Sequence, residues 1–303
     1  MRKLTLLFAL LGAAGTGLFG CSGSSSNDGG GTTGTTGTTG DAGDNQDDDG
    51  GFIAVSGTVA LNPVVGAAID AGLFSGTIPP FAGETLFIDE PLIATAQGVE
   101  AGRLATSTLD GSGTFDVPQV PLENIQIGLV ATIVGKSDDG GYLPCEDTNP
   151  PAFCTDYARS VSLVYENFRP TTDLTDVPIL GVPVQFAELL STNLGLAQGQ
   201  HLLDQGFVLG YVVQSDGGPL AGATFDDHGQ AHEIIYLDDS LNPGGTATNK
   251  FGMFLVVAPG QPSPSTTYGI VGHPELGCHR IGSNKGTVLS LVYDGARPGL
   301  TCN

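Results

Sequence analysis

From Phe52 onward, short runs of β-branched and aromatic residues recur between turn signals, the pattern of strands in a sandwich or barrel. Apolar and polar positions alternate in Val55-Ser56-Gly57-Thr58-Val59 and in Phe115-Asp116-Val117, as expected of strands with one face in a core. Phe207 to Val213 and Met253 to Val257 are continuously apolar, which suits strands covered on both faces. One segment follows a different period. Phe186, Leu189, Leu190, Leu194 and Ala197 keep helical spacing behind Pro183, so a short helix is expected in the connecting segment 183–205. The fold class expected is all-β, with two tandem Greek-key β-sandwich units at 52–182 and 206–303.

The chain ahead of Phe52 cannot join that body. Residues 22–51 are Ser, Gly, Thr, Asn and Asp with almost nothing to bury, and they include a Thr-Thr-Gly repeat and the run Asp47-Asp48-Asp49. They read as a disordered linker, and about 30 such residues span roughly 30 Å as a coil. Residues 1–20 read as an export signal: Arg2 and Lys3, then an apolar stretch from Leu4 to Leu18 that is short for a membrane span. The junction Leu18-Phe19-Gly20-Cys21 matches the pattern read by lipoprotein signal peptidase, with Phe19 bulkier than usual. The expectation is lipidation at Cys21 and attachment to a bacterial membrane through acyl chains, which anchor stably when there are two or more. The body would then lie in the periplasm or at the cell surface. Ser22 after the lipidated Cys favours the outer membrane under the enterobacterial sorting rule.

Cysteine usage agrees with export. Setting Cys21 aside leaves Cys145, Cys154, Cys278 and Cys302, an even number that suggests disulfides in an oxidising compartment. Three connectivities are open, and sequence proximity favours Cys145–Cys154 and Cys278–Cys302. Charge narrows the partners. With eight basic residues left against 32 acidic ones, the mature form stands at −24, which repels nucleic acid and anionic surfaces. The remaining partners are the membrane through the lipid anchor and an unknown protein or glycan.

Gly210-Tyr211-Val212-Val213, then Asp216-Gly217-Gly218-Pro219-Leu220-Ala221-Gly222-Ala223-Thr224, then Thr248-Asn249-Lys250-Phe251-Gly252-Met253-Phe254 form an ordered series. The series resembles the carboxypeptidase regulatory-like domain, a transthyretin-like β-sandwich. The first half repeats it more weakly in Ser56-Gly57-Thr58-Val59, Gly66-Ala67 and Thr108 to Phe115, with a long insertion at 69–105. The resemblance implies a fold and an accessory role, and no catalytic residues, since fold does not give function.

Candidate chemistry is sparse. Asp226, His228, His232 and Glu233 could ligate zinc with a glutamate as base, the basis of a rival reading as a small metal-dependent hydrolase. On a strand, however, positions four apart lie about 13 Å from each other, too far to share an ion. Tyr236 also stands where an HExxH motif would need its second His. These residues are expected to form a polar loop, and no metal or cofactor is expected. His273 and His279 flank Cys278, where a disulfide is the simpler reading. Asp110-Gly111-Ser112-Gly113 reads as a hairpin turn. A third reading, a carbohydrate-binding module, has little aromatic support because the chain lacks Trp; Tyr142 and Tyr157 bracket the Cys145–Cys154 loop. The function expected is therefore a non-catalytic envelope or surface protein with a structural or binding role.

Overall fold

In the computed structural model, residues 51–97, 99–134, 156–197, 199–230 and 232–302 are described. In chain order the elements are β1 (Phe52–Leu61), α1 (Pro63–Asp70), β2 (Thr85–Asp89), α2 (Pro91–Gln97), α3 (Val99–Gly102), β3 (Arg103–Thr108), β4 (Thr114–Pro121), β5 (Leu129–Val134), β6 (Arg159–Tyr165), β7 (Leu174–Gly181), α4 (Val184–Asn193), β8 (Phe207–Val213), β9 (Phe225–Asp226), β10 (Glu233–Ile235), β11 (Met253–Val257), β12 (Gly269–Ile270) and β13 (Thr287–Asp294). Strands dominate, as the hydrophobic pattern predicts, and α4 falls where helical spacing appears in the connecting segment. Among the described residues no helix is long and apolar enough to cross a membrane.

The principal sheet has eight strands in the order β10-β11-β8-β13-β6-β5-β2-β3; a second has the order β4-β1-β7, and β12 pairs with β9. The seam between the two expected units is itself a strand pair. β6 of segment 52–182 runs parallel to β13 of segment 206–303, with Arg159 opposite Thr287 and Ser162 opposite Ser290. Both segments therefore contribute to one continuous sheet. The apparent insertion at 69–105 is part of that sheet, because β2 pairs with β5 and with β3 and buries Leu86 and Ile88. Gly66 and Ala67 lie inside α1, not in a turn. The local chemistry explains why. Asn62 accepts from Val64 N at 3.0 Å as N-cap and Pro63 opens the helix, so Val64, Val65 and Ala68 turn inward.

Strand alternation divides the large sheet into two faces. One face carries Leu86, Ile88, Ala131 and Ile133, covered by Val55, Val59, Phe115, Val117 and Ile179 of the β4-β1-β7 sheet. Its continuation carries Phe207, Leu209, Met253 and Leu255, covered by α1 and α4 through Val64, Val65, Phe186 and Leu190. The middle of this face holds serines. Ser162 Oγ accepts from Leu180 N and Ser160 Oγ from Val182 N, both at 2.9 Å, so hydroxyls on the face satisfy the edge of β7 that β1 leaves unpaired. The opposite face carries Val208, Val212, Phe254, Val256, Leu289, Leu291 and Tyr293 beneath Phe225, Tyr268, Ile270 and Leu276.

The turns of the 210–254 series are tight. Gln214 N donates to Gly218 O at 2.7 Å across Asp216-Gly217. Gly252 has φ 68°, and a Cβ there would approach Val212 O to 2.5 Å, so only glycine suits the start of β11.

Candidate functional site

The expected polar loop is a tight turn. Asp226 Oδ1 accepts from His228 N at 3.0 Å and Asp227 Oδ1 from Gly229 N at 2.9 Å, while His228 takes φ 50°. Both imidazoles pack on Tyr268, with ring centroids at 6.1 Å for His228 and 5.2 Å for His232, and Glu233 is exposed at the start of β10. Among the described residues no group of three or more His, Cys, Asp or Glu side chains converges as a metal site. The Asp110 turn is closed on itself: Oδ1 accepts from Ser112 N, Ser112 Oγ and Thr114 N, and these bonds hold its carboxyl below the usual range.

Cys278 and Cys302 form a disulfide, with Cα atoms 5.1 Å apart. Cys278 also exchanges backbone hydrogen bonds with Leu300, so the C-terminal segment is laid beside the 278–280 stretch. Cys21, Cys145, Cys154 and Tyr142 lie outside the described residues. Tyr157 is not an available platform. It is buried, its ring stacks on Phe81 at 4.6 Å and its hydroxyl donates to Pro79 O at 2.5 Å.

The concave features lie elsewhere. A cavity of about 70 Å³ sits on the second face of the large sheet, over β2, β5 and β6, closed by α2 and by the chain around Pro262 and Asn284. Its polar end is Asp89, Thr132 and Arg159. Asp89 ends β2 and is buried; Thr132 donates to its Oδ2 at 2.7 Å. Burial pushes the Asp89 carboxyl up to about 6, opposed by the Thr132 bond and then by the positive charges of Arg103 and Arg159. Burial likewise lowers Arg159, and the Asp89 charge opposes it.

An open groove of about 1320 Å³ lies beside it, lined by the ends of β6, β7, β8 and β13 and by Arg297 to Thr301. Leu163, Tyr165, Glu166 and Arg280 line both spaces and form the wall between them. That wall is tightly bonded. Glu166 Oε1 accepts from Arg280 N at 2.9 Å, Glu166 Oε2 meets His279 Nδ1 at 2.5 Å, and the Arg280 guanidinium donates to the carbonyls of Glu166, Ile127 and Pro264. His279 therefore belongs to a buried imidazole–carboxylate pair, with its ring against Tyr293 at 4.8 Å. On the groove side, Phe168 is 52% exposed. It is held at φ 58°, a costly backbone for an aromatic residue, with the Arg280 guanidinium 5.2 Å from its ring centroid.

Sequence patterning passed over Asp89, Thr132, Arg159, Glu166 and Arg280 because no two share a motif. For Asp89, Thr132 and Arg159 the signal present was a charge or hydroxyl at the end of, or inside, a strand, in a chain with only 14% charged residues; Glu166 and Arg280 lie outside the strands and carried no such signal.

No family model matches this chain, and no curated protein matches it. Among solved structures, the shaft pilin SpaA from Lactobacillus rhamnosus GG aligns over 80% of this chain and 97% of its own length, with 11% identity and a TM-score of 0.20. The Streptococcal ancillary pilin aligns over 80% of this chain and 69% of its own, with 9% identity and a TM-score of 0.21. Likeness at that level carries no inference about what this chain does.

Proposed function

We propose that this chain is a bacterial envelope lipoprotein, anchored by lipid on Cys21, that holds a non-catalytic β body on a tether for a structural or binding role. The observation that carries the reading is the Leu18-Phe19-Gly20-Cys21 junction followed at once by a linker with nothing to bury. The Cys278–Cys302 disulfide supports an oxidising compartment outside the cytoplasm. The turn at Asp216–Pro219 and the positive φ of Gly252 support the carboxypeptidase regulatory-like reading of 206–303. The experiment is fractionation after Cys21→Ser. Wild type is expected in the membrane fraction after a carbonate wash and the variant in the soluble fraction; a variant that stays with membranes overturns the lipid anchor.

A second reading is favoured by the groove: binding of a glycan. Carbohydrate faces pack on aromatic rings, and Phe168 is presented on a backbone that restricts where its ring can go. Asp173, Asp176 and Asp294 supply carboxylates along the same groove. Co-sedimentation of the full-length protein with insoluble cell-wall glycan is expected to weaken in Phe168→Ala, and retention unchanged by that substitution overturns this reading. The metal-dependent hydrolase alternative built on His228, His232 and Glu233 has no such geometric support.

A further inference from the structure

The cavity over β2, β5 and β6 has bonding capacity that the fold leaves unused. Its apolar wall is formed by Val161, Leu163 and Leu289 on the sheet, with Ala94 of α2 and Pro262 completing it. At the other end stand one acid and one base. Asp89 is 1% exposed; its Oδ2 takes the Thr132 hydroxyl, while its Oδ1 is buried with no partner among the described residues. The Arg159 Nε is also buried with no partner. Nearby polar groups are already committed, since Thr287 Oγ1 donates to Asn284 O at 2.6 Å and the Asn284 amide to Thr95 O at 3.2 Å. The unmet capacity is thus one negatively charged acceptor and one cationic donor at the wall of a single cavity, where an unpaired polar atom is costly.

We propose that this cavity binds a small zwitterion of the α-amino acid class. Asp89 accepts from the ligand's ammonium, Arg159 donates to its carboxylate, and the valine and leucine wall takes a short side chain. A lone cation would answer Asp89 and leave Arg159 facing a like charge; a lone anion would do the reverse. Size sets the upper bound. At roughly 10–15 Å³ for each water-sized group, the space holds about five to seven such groups, which suits the smallest amino acids and excludes aromatic ones.

The test is calorimetric titration and thermal melting of the full-length protein in detergent, with alanine as probe and ethylamine, propionate and phenylalanine as controls. Alanine is expected to bind saturably and raise the melting temperature, and the three controls to do neither. Asp89→Asn and Arg159→Gln are each expected to weaken alanine binding by about tenfold or more, the effect of deleting one charge-assisted hydrogen bond. Asp89→Asn removes a buried charge and keeps the side-chain shape, so the folded state survives and loss of binding is readable. Absence of any response to alanine in wild type overturns the proposal, as does binding equally strong in both variants. Binding of ethylamine or propionate matching that of alanine overturns the zwitterion assignment.

Discussion

Replacing Asp89 with Asn should stabilise this protein at neutral and alkaline pH, by an amount that disappears in acid. In the unfolded chain Asp89 loses its proton near 3.8, and in the folded protein at about 6. Between those values the folded state holds proton that the unfolded state has given up. The group's contribution to stability therefore falls as pH rises through that window, and above about 6 its full cost is present. At about 1.4 kcal/mol per pKa unit, the interval from 3.8 to about 6 is worth about 3 kcal/mol. Asparagine carries no proton in either state, keeps an oxygen to accept from Thr132 and nearly matches the protonated acid in shape. Urea unfolding of wild type and variant at about pH 8 and about pH 4 separates this effect from all other titrations, which cancel in the difference. The variant's advantage should be near 3 kcal/mol at the higher pH and only about 0.5 kcal/mol at the lower, which lies just above the unfolded value. A difference that stays flat between the two pH values, or a variant less stable at the higher one, refutes the claim that Asp89 is a desolvated charge at a cost to the fold.

Three further outcomes follow from the packing. Ser162→Ala removes the acceptor for Leu180 N and leaves a buried N–H unpaired, so a loss of about 1–3 kcal/mol is expected in urea unfolding; an unchanged midpoint would mean water takes the place of the hydroxyl. Cys302→Ser opens the loop closed by residues 24 apart, and a loss of about 3 kcal/mol is expected from the freed chain entropy of the unfolded state. A fragment from Leu203 to Asn303 should give no cooperative thermal transition, because it lacks β6 beside β13 and the helices α1 and α4 over Phe207, Leu209 and Leu255; a sharp transition in the monomeric fragment would show that those contacts are dispensable.

Local chemistry that repeats at short range was legible in the sequence. The alternation in β1 and β4, the double burial of β8 and β11, the helical spacing of α4 and the Cys278–Cys302 bridge all depend on neighbours or on a single spacing. What stayed hidden depends on partners far along the chain. The parallel pairing of β6 with β13 joins residues more than a hundred positions apart, and no periodicity in either strand marks it. β2 read as insertion because the resemblance supplied no strand there, although Leu86, Ile88 and Asp89 bury both its faces. The polar end of the cavity is hidden for the same reason: Asp89, Thr132 and Arg159 come from three strands whose order in the sheet is not written in any of them.

The serine strip and the cavity's polar end show opposite solutions to the same physical problem on the two faces of one sheet. On the face beneath β7, Ser160, Ser162 and Ser290 put polar atoms into the interior, and backbone groups or Asn62 meet them. Such a strip gains little net stability beyond avoiding the cost of orphaned backbone groups. On the other face, Asp89 and Arg159 also occupy inward positions, yet part of their capacity is unmet and the carboxyl is held well above its ordinary pKa. A fold able to satisfy a strand edge with hydroxyls could have filled these two positions with Val or Thr at lower cost, since apolar groups of similar volume usually equal or better a buried ion pair. A buried charge that costs stability at the wall of a cavity is the pattern found where selection acts on binding more than on folding. The stability gain expected of Asp89→Asn and the binding loss expected of the same substitution are therefore two readings of one side chain. If the gain occurs without the loss, the carboxylate is a burden with no ligand, and the cavity's polar end is answered by water alone.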